Sequence, residues 1–347
     1  MGHSLLIYGA NGATGARLAE LAAGAGLTPI VAGRRAGAIT ELASQLGCEG
    51  RVAEVGELSG VLGGVDVVAS CVAPYTTHGK PIVRAAIDCG ASYLDLTGET
   101  AFVRWLVDNC DAPARVQGVT LVPSAGLGLC SAIAARAAVA TLPAPAERLT
   151  VSYRSQGMRA SKGTSQSMIE VLAGEVIEQE GDRVRTVVPG RRLARTPIGV
   201  GASFPLTEPM LLRALWPGVD IRSYFVVGPA VLAPLGAAAM AAVHYGARMR
   251  NDWLRWAAGH APHGQPGGGF AIAVRAEAAG VVVDAGVVLD DVYEVSSRAM
   301  LEVARSVVTG ASPGVRGAGA VVAGEPADIA ERIGVRLWCG DYLVSDR

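Results

Sequence analysis

The chain has 347 residues, half of them hydrophobic and 18% charged, with a formal net charge of −1. That length suits two domains with a large buried core, and the balanced charge gives no basic face at the level of composition, so nucleic acid is not an expected partner. Six cysteines are scattered without a C-x-x-C pair, which argues against a zinc site or a disulfide framework and for reduced thiols in the cytoplasm.

Ser4 to Tyr8 is a short apolar run that fits a buried strand, so the N-terminus does not read as a signal peptide. It leads into Gly9-Ala10-Asn11-Gly12-Ala13-Thr14-Gly15, and a helical pattern starts at once with Ala16. Strand, glycine-rich turn and helix form the context of a dinucleotide site, although the spacing is G-x-x-G-x-x-G. Gly9 permits the sharp turn, Gly12 gives room to a pyrophosphate, and Gly15 allows close packing of helix on strand. The phosphates then meet free N–H groups at a helix N-terminus.

Pro29 to Ala32 reads as a second strand ending at Gly33-Arg34-Arg35. The end of this strand faces the adenosine ribose, where arginine accommodates a 2′-phosphate, so NADPH is the expected cofactor. Arg51 to Ala53 is a candidate third strand and Val65 to Ala73 a fourth. Its end, with Cys71, Val72, Ala73 and Pro74, borders the cofactor. The following loop carries Tyr75, His78 and Lys80 ahead of a helix over Lys80–Cys89. Tyr75 and His78 are candidate proton donors for hydride reduction; the competing readings are that Tyr75 packs and His78 caps the helix.

Ser92 to Asp95 is the fifth strand, followed by Leu96-Thr97-Gly98-Glu99 and a helix over Ala101–Cys110; Val119 to Val122 is the sixth. Asp95, Thr97, Gly98 and Glu99 leave a strand end on the ligand side and are candidate substrate contacts. A carboxylate accepting backbone N–H bonds is the alternative role for Asp95 or Glu99. The alternation of strands and helices predicts an α/β fold, a Rossmann-type doubly wound parallel sheet.

Several of these pieces, in this order, resemble the saccharopine dehydrogenase-like oxidoreductases, in particular the branch of the trans-acting enoyl reductases. They are Gly9 to Gly15, Ala32-Gly33-Arg34, Val72-Ala73-Pro74-Tyr75 with Gly79 and Pro81, and above all Tyr93-Leu94-Asp95-Leu96-Thr97-Gly98-Glu99. Ser161-Lys162-Gly163-Thr164 with Ser167 resembles a Ser-Gly-Gly-Thr segment of that family, and Asp291-Val292-Tyr293 with Met300-Leu301-Glu302 a late helix. The likeness is dense only in the first 130 residues. Two departures stand out. Gly126-Leu127-Gly128-Leu129-Cys130 lacks the family's Gly-Phe-Asp and its proline, and His78 stands where a tyrosine is usual.

The resemblance implies a dinucleotide-binding domain over 1–127, a mixed α/β substrate domain over 128–305 and a last segment, 306–347, that returns to the first domain. It implies hydride transfer from NADPH to a C=C or C=N bond of a biosynthetic intermediate. The apolar second domain suggests a hydrophobic or carrier-linked small molecule. An imine dehydrogenase of the saccharopine type is the alternative, with Arg154, Arg159 and Arg275 as carboxylate-binding candidates. A non-catalytic NADPH-binding or membrane-associated protein is another, and a homodimer is kept as an assembly state. Ser161, Lys162, Gly163 and Thr164 are candidate substrate contacts or a helix cap.

In the second domain, Leu149 to Arg154 alternates as a strand and Met168–Gln179 reads as a helix. Phe225 to Val243 holds no charged residue and is followed by Arg248, Arg250, Trp253, Arg255 and Trp256. Pro229 and Pro234 favour a buried hairpin or the wall of an apolar cavity over membrane contact through 225–256. Gly264 to Gly269 is expected to be a loop, Phe270–Arg275 and Gly280–Val283 paired strands, and His260 and His263 loop histidines rather than metal ligands. There is no G-x-S-x-G nucleophile elbow.

Overall fold

The computed structural model describes residues 2–249, 256, 260, 265–340 and 342–343. The chain forms two compact units. The first comprises Met1–Thr97, Phe102–Leu127 and Tyr293–Ala323, and the second Gly98–Ala101, Gly128–Val292 and Gly324–Arg347.

In chain order the first part contains β1 (His3–Tyr8), α1 (Ala13–Ala23), β2 (Leu27–Gly33), α2 (Ala36–Leu46), β3 (Glu49–Val52), β4 (Val67–Ser70), α3 (Tyr75–Asp88), β5 (Ser92–Asp95), α4 (Thr100–Gln117), β6 (Thr120–Val122) and α5 (Leu127–Ala140). The middle contains β7 (Arg148–Arg159), α6 (Lys162–Ala173), β8 (Val176–Glu180), β9 (Arg183–Val187), β10 (Leu193–Thr196), β11 (Gly199–Ser203), α7 (Glu208–Leu211), β12 (Asp220–Val226), α8 (Ala233–Met249), β13 (Gly267–Ala278) and β14 (Val281–Leu289). The last part contains α9 (Val292–Val308), β15 (Gly314–Val315), α10 (Ala318–Val321), α11 (Pro326–Ile333), β16 (Arg336–Cys339) and β17 (Tyr342–Leu343).

The first unit is a seven-stranded parallel sheet in the order β15-β6-β5-β4-β1-β2-β3. The order reverses at β1, the switch point at which open α/β sheets bind ligands. Strands buried on both faces read as continuous apolar runs, and Leu5, Leu6 and Ile7 have no exposed surface. Leu6, Val68, Ile82, Tyr93, Phe102, Leu106 and Leu121 share its core. Returning chain enters this unit at Tyr293, not at 306, and leaves it after Ala323. The final residues join the other unit because β16 completes its sheet, pairing antiparallel with β14.

The second unit is built on a ten-stranded mixed sheet, β10-β11-β12-β7-β13-β14-β16-β17, with β8 paired to β12 and β9. The β13–β14 hairpin turns at Ala279 and Gly280, both at positive φ. Gly267 to Gly269 belong to β13 rather than to a loop. A Cβ on Gly269 would meet the Leu289 carbonyl oxygen at 2.3 Å, so bare backbone is what lets this strand approach β14. Gly264 and His263 lie outside the described residues.

Three other expectations change. The α3 helix starts at Tyr75, with Pro74 as its N-cap, so Tyr75, His78 and Lys80 are helical. Pro81 therefore sits within the helix, where it forgoes one backbone bond to the exposed Thr77. The predicted helix over 168–179 is instead α6, begun at Ser161, followed by strand β8. Finally, Phe225–Val243 is not a buried hairpin. It closes β12, turns at Pro229 and becomes α8, with Pro234 in the first turn, where proline is tolerated. Arg250, Trp253 and Arg255 lie outside the described residues.

Candidate functional site

The glycine-rich turn is built by close approach. Gly9 takes φ +84°, and a Cβ on it would lie 2.6 Å from Val72 Cγ2. A Cβ on Gly15 would lie 2.4 Å from the Gly9 carbonyl oxygen and 2.9 Å from Ala10 Cα. The Gly9 and Ala10 N–H groups both donate to the Ala32 carbonyl, at 2.9 and 3.2 Å, which fastens the turn to the end of β2. Gly12 is the N-cap of α1 and offers no side-chain cap. The first N–H groups of α1, from Ala13, Thr14 and Gly15, thus meet no capping side chain and stay available to an anion. Ser297 on α9, which sequence reasoning missed, adds a tie: its hydroxyl lies 3.1 Å from the Thr14 carbonyl and 2.8 Å from that of Tyr293.

At the end of β2, Arg34 and Arg35 are exposed. The Asn11 amide oxygen, oriented by its partners, accepts from the Arg35 guanidinium. His78 is half-buried; burial and then the positive charge of Arg34 push its imidazole below the usual value, which favours the neutral ring. Burial also pushes the Cys71 thiol up to about 12, with the Asp95 carboxylate adding to the shift, so this cysteine is no thiolate nucleophile.

Tyr75 is buried. Its hydroxyl donates to the Ser70 carbonyl (3.1 Å) and accepts from the Leu96 N–H (3.3 Å), and its ring packs against Phe102. A hydroxyl bonded to a backbone carbonyl inside the core suits positioning of the β4 and β5 ends, the packing role weighed above for Tyr75. Asp95 is also fully buried, and its Oδ1 accepts from the N–H groups of Thr97 (2.8 Å) and Ser124 (2.9 Å). It ties the end of β5 to the end of β6, the backbone role considered above. The buried Thr97 is held in this turn.

Gly98 and Glu99 belong to the second unit. Glu99 is fully buried, and Ser167 donates to its Oε1 at 2.5 Å. Thr100 donates to the Glu175 carbonyl (3.3 Å). Ser161 caps α6, its Oγ accepting from the Thr164 N–H (3.2 Å) and lying 2.9 Å from the Thr164 hydroxyl. Lys162 is exposed and Gly163 half-buried in the first turn. The structure therefore brings Glu99 together with α6 through Ser167.

A second buried carboxyl in this unit had no sequence signal beyond its apolar neighbours. Glu208, on α7, accepts from Tyr153 (2.5 Å) and Ser131 (3.2 Å) through Oε1, while Oε2 is buried without a hydrogen-bond partner. Burial raises its pKa despite these donors. Of the arginines considered for a carboxylate, Arg275 is held bidentate by Asp284, with both contacts at 2.8 Å. Arg159 donates to the Gln265 carbonyl (3.0 Å) and Arg154 to that of Ile198 (3.4 Å). Among the described residues, no group of three or more His, Cys, Asp or Glu is arranged to hold a metal ion.

No family model matches the chain. It is similar to the saccharopine dehydrogenase-like oxidoreductase of Bos taurus, 32% identical over 108 residues, which are 30% of this chain and 25% of that protein. It is 31% identical over 132 residues to the trans-acting enoyl reductase of Mycobacterium leprae, covering 35% of this chain and 32% of that protein. These matches span only a quarter to a third of the relatives' length. Apo saccharopine dehydrogenase (L-Glu forming) from Saccharomyces cerevisiae shares the fold, with a TM-score of 0.60 at 15% identity over 99% of this chain and 100% of that one. The resemblance read from the residues is thus found independently in sequence and in fold, and these relatives carry oxidoreductase names.

Proposed function

We propose that this chain is a cytoplasmic NADPH-dependent reductase that acts on a C=C or C=N bond of an apolar or carrier-linked biosynthetic intermediate. The observation that carries the reading is the Gly9–Gly15 turn. Its two close approaches leave no room for a side chain, and it opens onto an uncapped helix N-terminus at the switch point of a parallel sheet. Those features fit a dinucleotide: the turn is packed too closely on itself and on Val72 for side chains at Gly9 and Gly15, and the donor set is backbone N–H.

In this reading the N–H groups of Ala13, Thr14 and Gly15 bind the pyrophosphate, and Arg34 and Arg35 bind the 2′-phosphate that distinguishes NADPH from NADH. The nicotinamide, when bound, supplies the hydride. Within the second unit, the hydroxyl and N–H groups at the first turn of α6 are the candidates for polar parts of a substrate, with the buried Glu99 held to α6 by Ser167. Arg275 is held bidentate by Asp284, which counts against it as the contact for a substrate carboxylate in the alternative, saccharopine-type imine reading.

Titration of the purified protein with NADPH and NADH, followed by nucleotide fluorescence, tests this for wild type and for Arg34→Ala/Arg35→Ala. Tighter binding of NADPH, with the preference removed by the double substitution, is expected. If neither nucleotide binds, the glycine turn is a structural turn and the reductase reading fails.

A further inference from the structure

The helix α8 buries one side and leaves the other bare. Ala233, Ala237, Met240, His244 and Ala247 are buried, at the three- and four-residue spacing of a single face. This face is fastened to the second unit. His244 Nδ1 bonds to the Leu172 carbonyl (2.9 Å), and Gly190 packs so closely that a Cβ there would meet the Ala237 carbonyl oxygen at 2.0 Å. The outward side and the turn before it carry Val231 (82% exposed), Leu235 (69%), Tyr245 (57%) and Met249 (83%), with the exposed Leu232, Ala238, Ala239 and Ala242 between them. A surface helix ordinarily turns charged residues outward. Here the run from Ala230 to Tyr245 has none.

The flank of this face is cationic. Residues 183–207 contain five arginines and no acidic residue, and two of the five, Arg185 and Arg192, are ion-paired with Glu180 and Glu178. Arg191 follows Gly190 directly, and Arg195 lies on β10, the sheet edge against which α8 packs. Arg183, Arg191 and Arg195 are exposed and form no ion pair among the described residues. At the C-terminal end the exposed Tyr245 suits the level of lipid headgroups, while the exposed Arg248 lies 3.7 Å from the Glu175 carboxylate.

We propose that the outward face of α8, with Arg191 and Arg195 beside it, docks this protein on an anionic lipid surface. The charge decides between occupants. A symmetric contact with a second copy would bring the same unpaired arginines together, with no acidic residue on the helix or on 183–207 to receive them. An anionic bilayer meets both the apolar face and the arginines. The Ala230–Met249 helix is long and apolar enough to cross a membrane by length and composition, yet its inner side is committed to the protein. It therefore lies on the surface and does not span it. The inference stands on the second unit alone and does not depend on the proposed reductase activity.

Flotation of the full chain with vesicles tests it, using phosphatidylcholine alone and phosphatidylcholine with phosphatidylserine. Binding to the phosphatidylserine vesicles is expected, weakened by salt. Arg191→Glu/Arg195→Glu should lower it about tenfold or more. Val231→Asp/Leu235→Asp should abolish it. All these positions are exposed, and unchanged circular dichroism and melting will show that each variant is folded. No binding to either vesicle, or binding that both double variants retain, overturns the proposal. A wild-type dimer that Val231→Asp/Leu235→Asp converts to monomer, without vesicle binding, assigns the face to self-association and overturns it as well.

Discussion

A side chain on Gly15 has no place to go: its Cβ would fall 2.4 Å from the Gly9 carbonyl oxygen, within the same turn. Both partners are backbone, so the contact is relieved only by moving α1 off β1. Gly15→Ala is expected to cost about 1–3 kcal/mol of stability, the range for overpacking. It should also weaken nucleotide binding more than that loss of stability explains. Chemical denaturation and NADPH titration of the same variant check both.

Tyr75 offers a separation of structure from chemistry. Its hydroxyl bonds the Ser70 carbonyl and the Leu96 N–H inside the core. Tyr75→Phe should destabilise the fold by about 1–3 kcal/mol, since removing the hydroxyl strands the buried Ser70 carbonyl and the part-buried Leu96 N–H. NADPH affinity and the rate of hydride transfer should stay within a few-fold of wild type. A catalytic proton donor would show the reverse, a folded protein with a collapsed rate.

The proposed nucleotide preference should carry a pH dependence through His78. Burial and Arg34 hold its imidazole neutral. A 2′-phosphate bound at Arg34 reverses that electrostatic balance and favours the protonated ring. Binding linked to proton uptake weakens as pH rises, so NADPH affinity should fall through the histidine range while NADH affinity changes less. His78→Asn should flatten the difference, as read from titrations across pH.

Glu208 sets an opposite trend from acid denaturation. Its folded pKa is raised above the ordinary 4.5 by burial. Above that value the unfolded carboxyl ionises while the folded one still holds its proton. The folded state then binds more protons, so stability falls as pH rises until the folded pKa is passed. Glu208→Gln has no such proton and should remove that downward slope from a plot of unfolding free energy against pH. A slope unchanged by the substitution would place its origin elsewhere.

Ser167 supplies one hydrogen bond to the fully buried Glu99. Ser167→Ala should cost about 1–3 kcal/mol, because a buried carboxyl oxygen loses its donor. Ser167→Thr keeps the hydroxyl and should recover most of it. Thermal melts of the two variants provide the comparison.

Residues close in sequence determined the first unit of this molecule. Gly9, Gly12 and Gly15 act through backbone torsion and close approach within seven residues, and the strands around them are apolar because both faces of a parallel sheet are buried. Local chemistry of this kind is legible without a fold, as is the resemblance carried by Tyr93 to Glu99. Tertiary structure decided what those residues spend their hydrogen bonds on. Asp95 reached Ser124 on the next strand end, Tyr75 turned inward, and Glu99 met Ser167, 68 positions later. Glu208 and Tyr153 are 55 residues apart, and nothing in either neighbourhood announces the pair. The stretch around α8 shows the limit most clearly. Its lack of charge is a property of the sequence, but which of its faces is covered depends on a sheet assembled from distant strands, and that sheet covers only one.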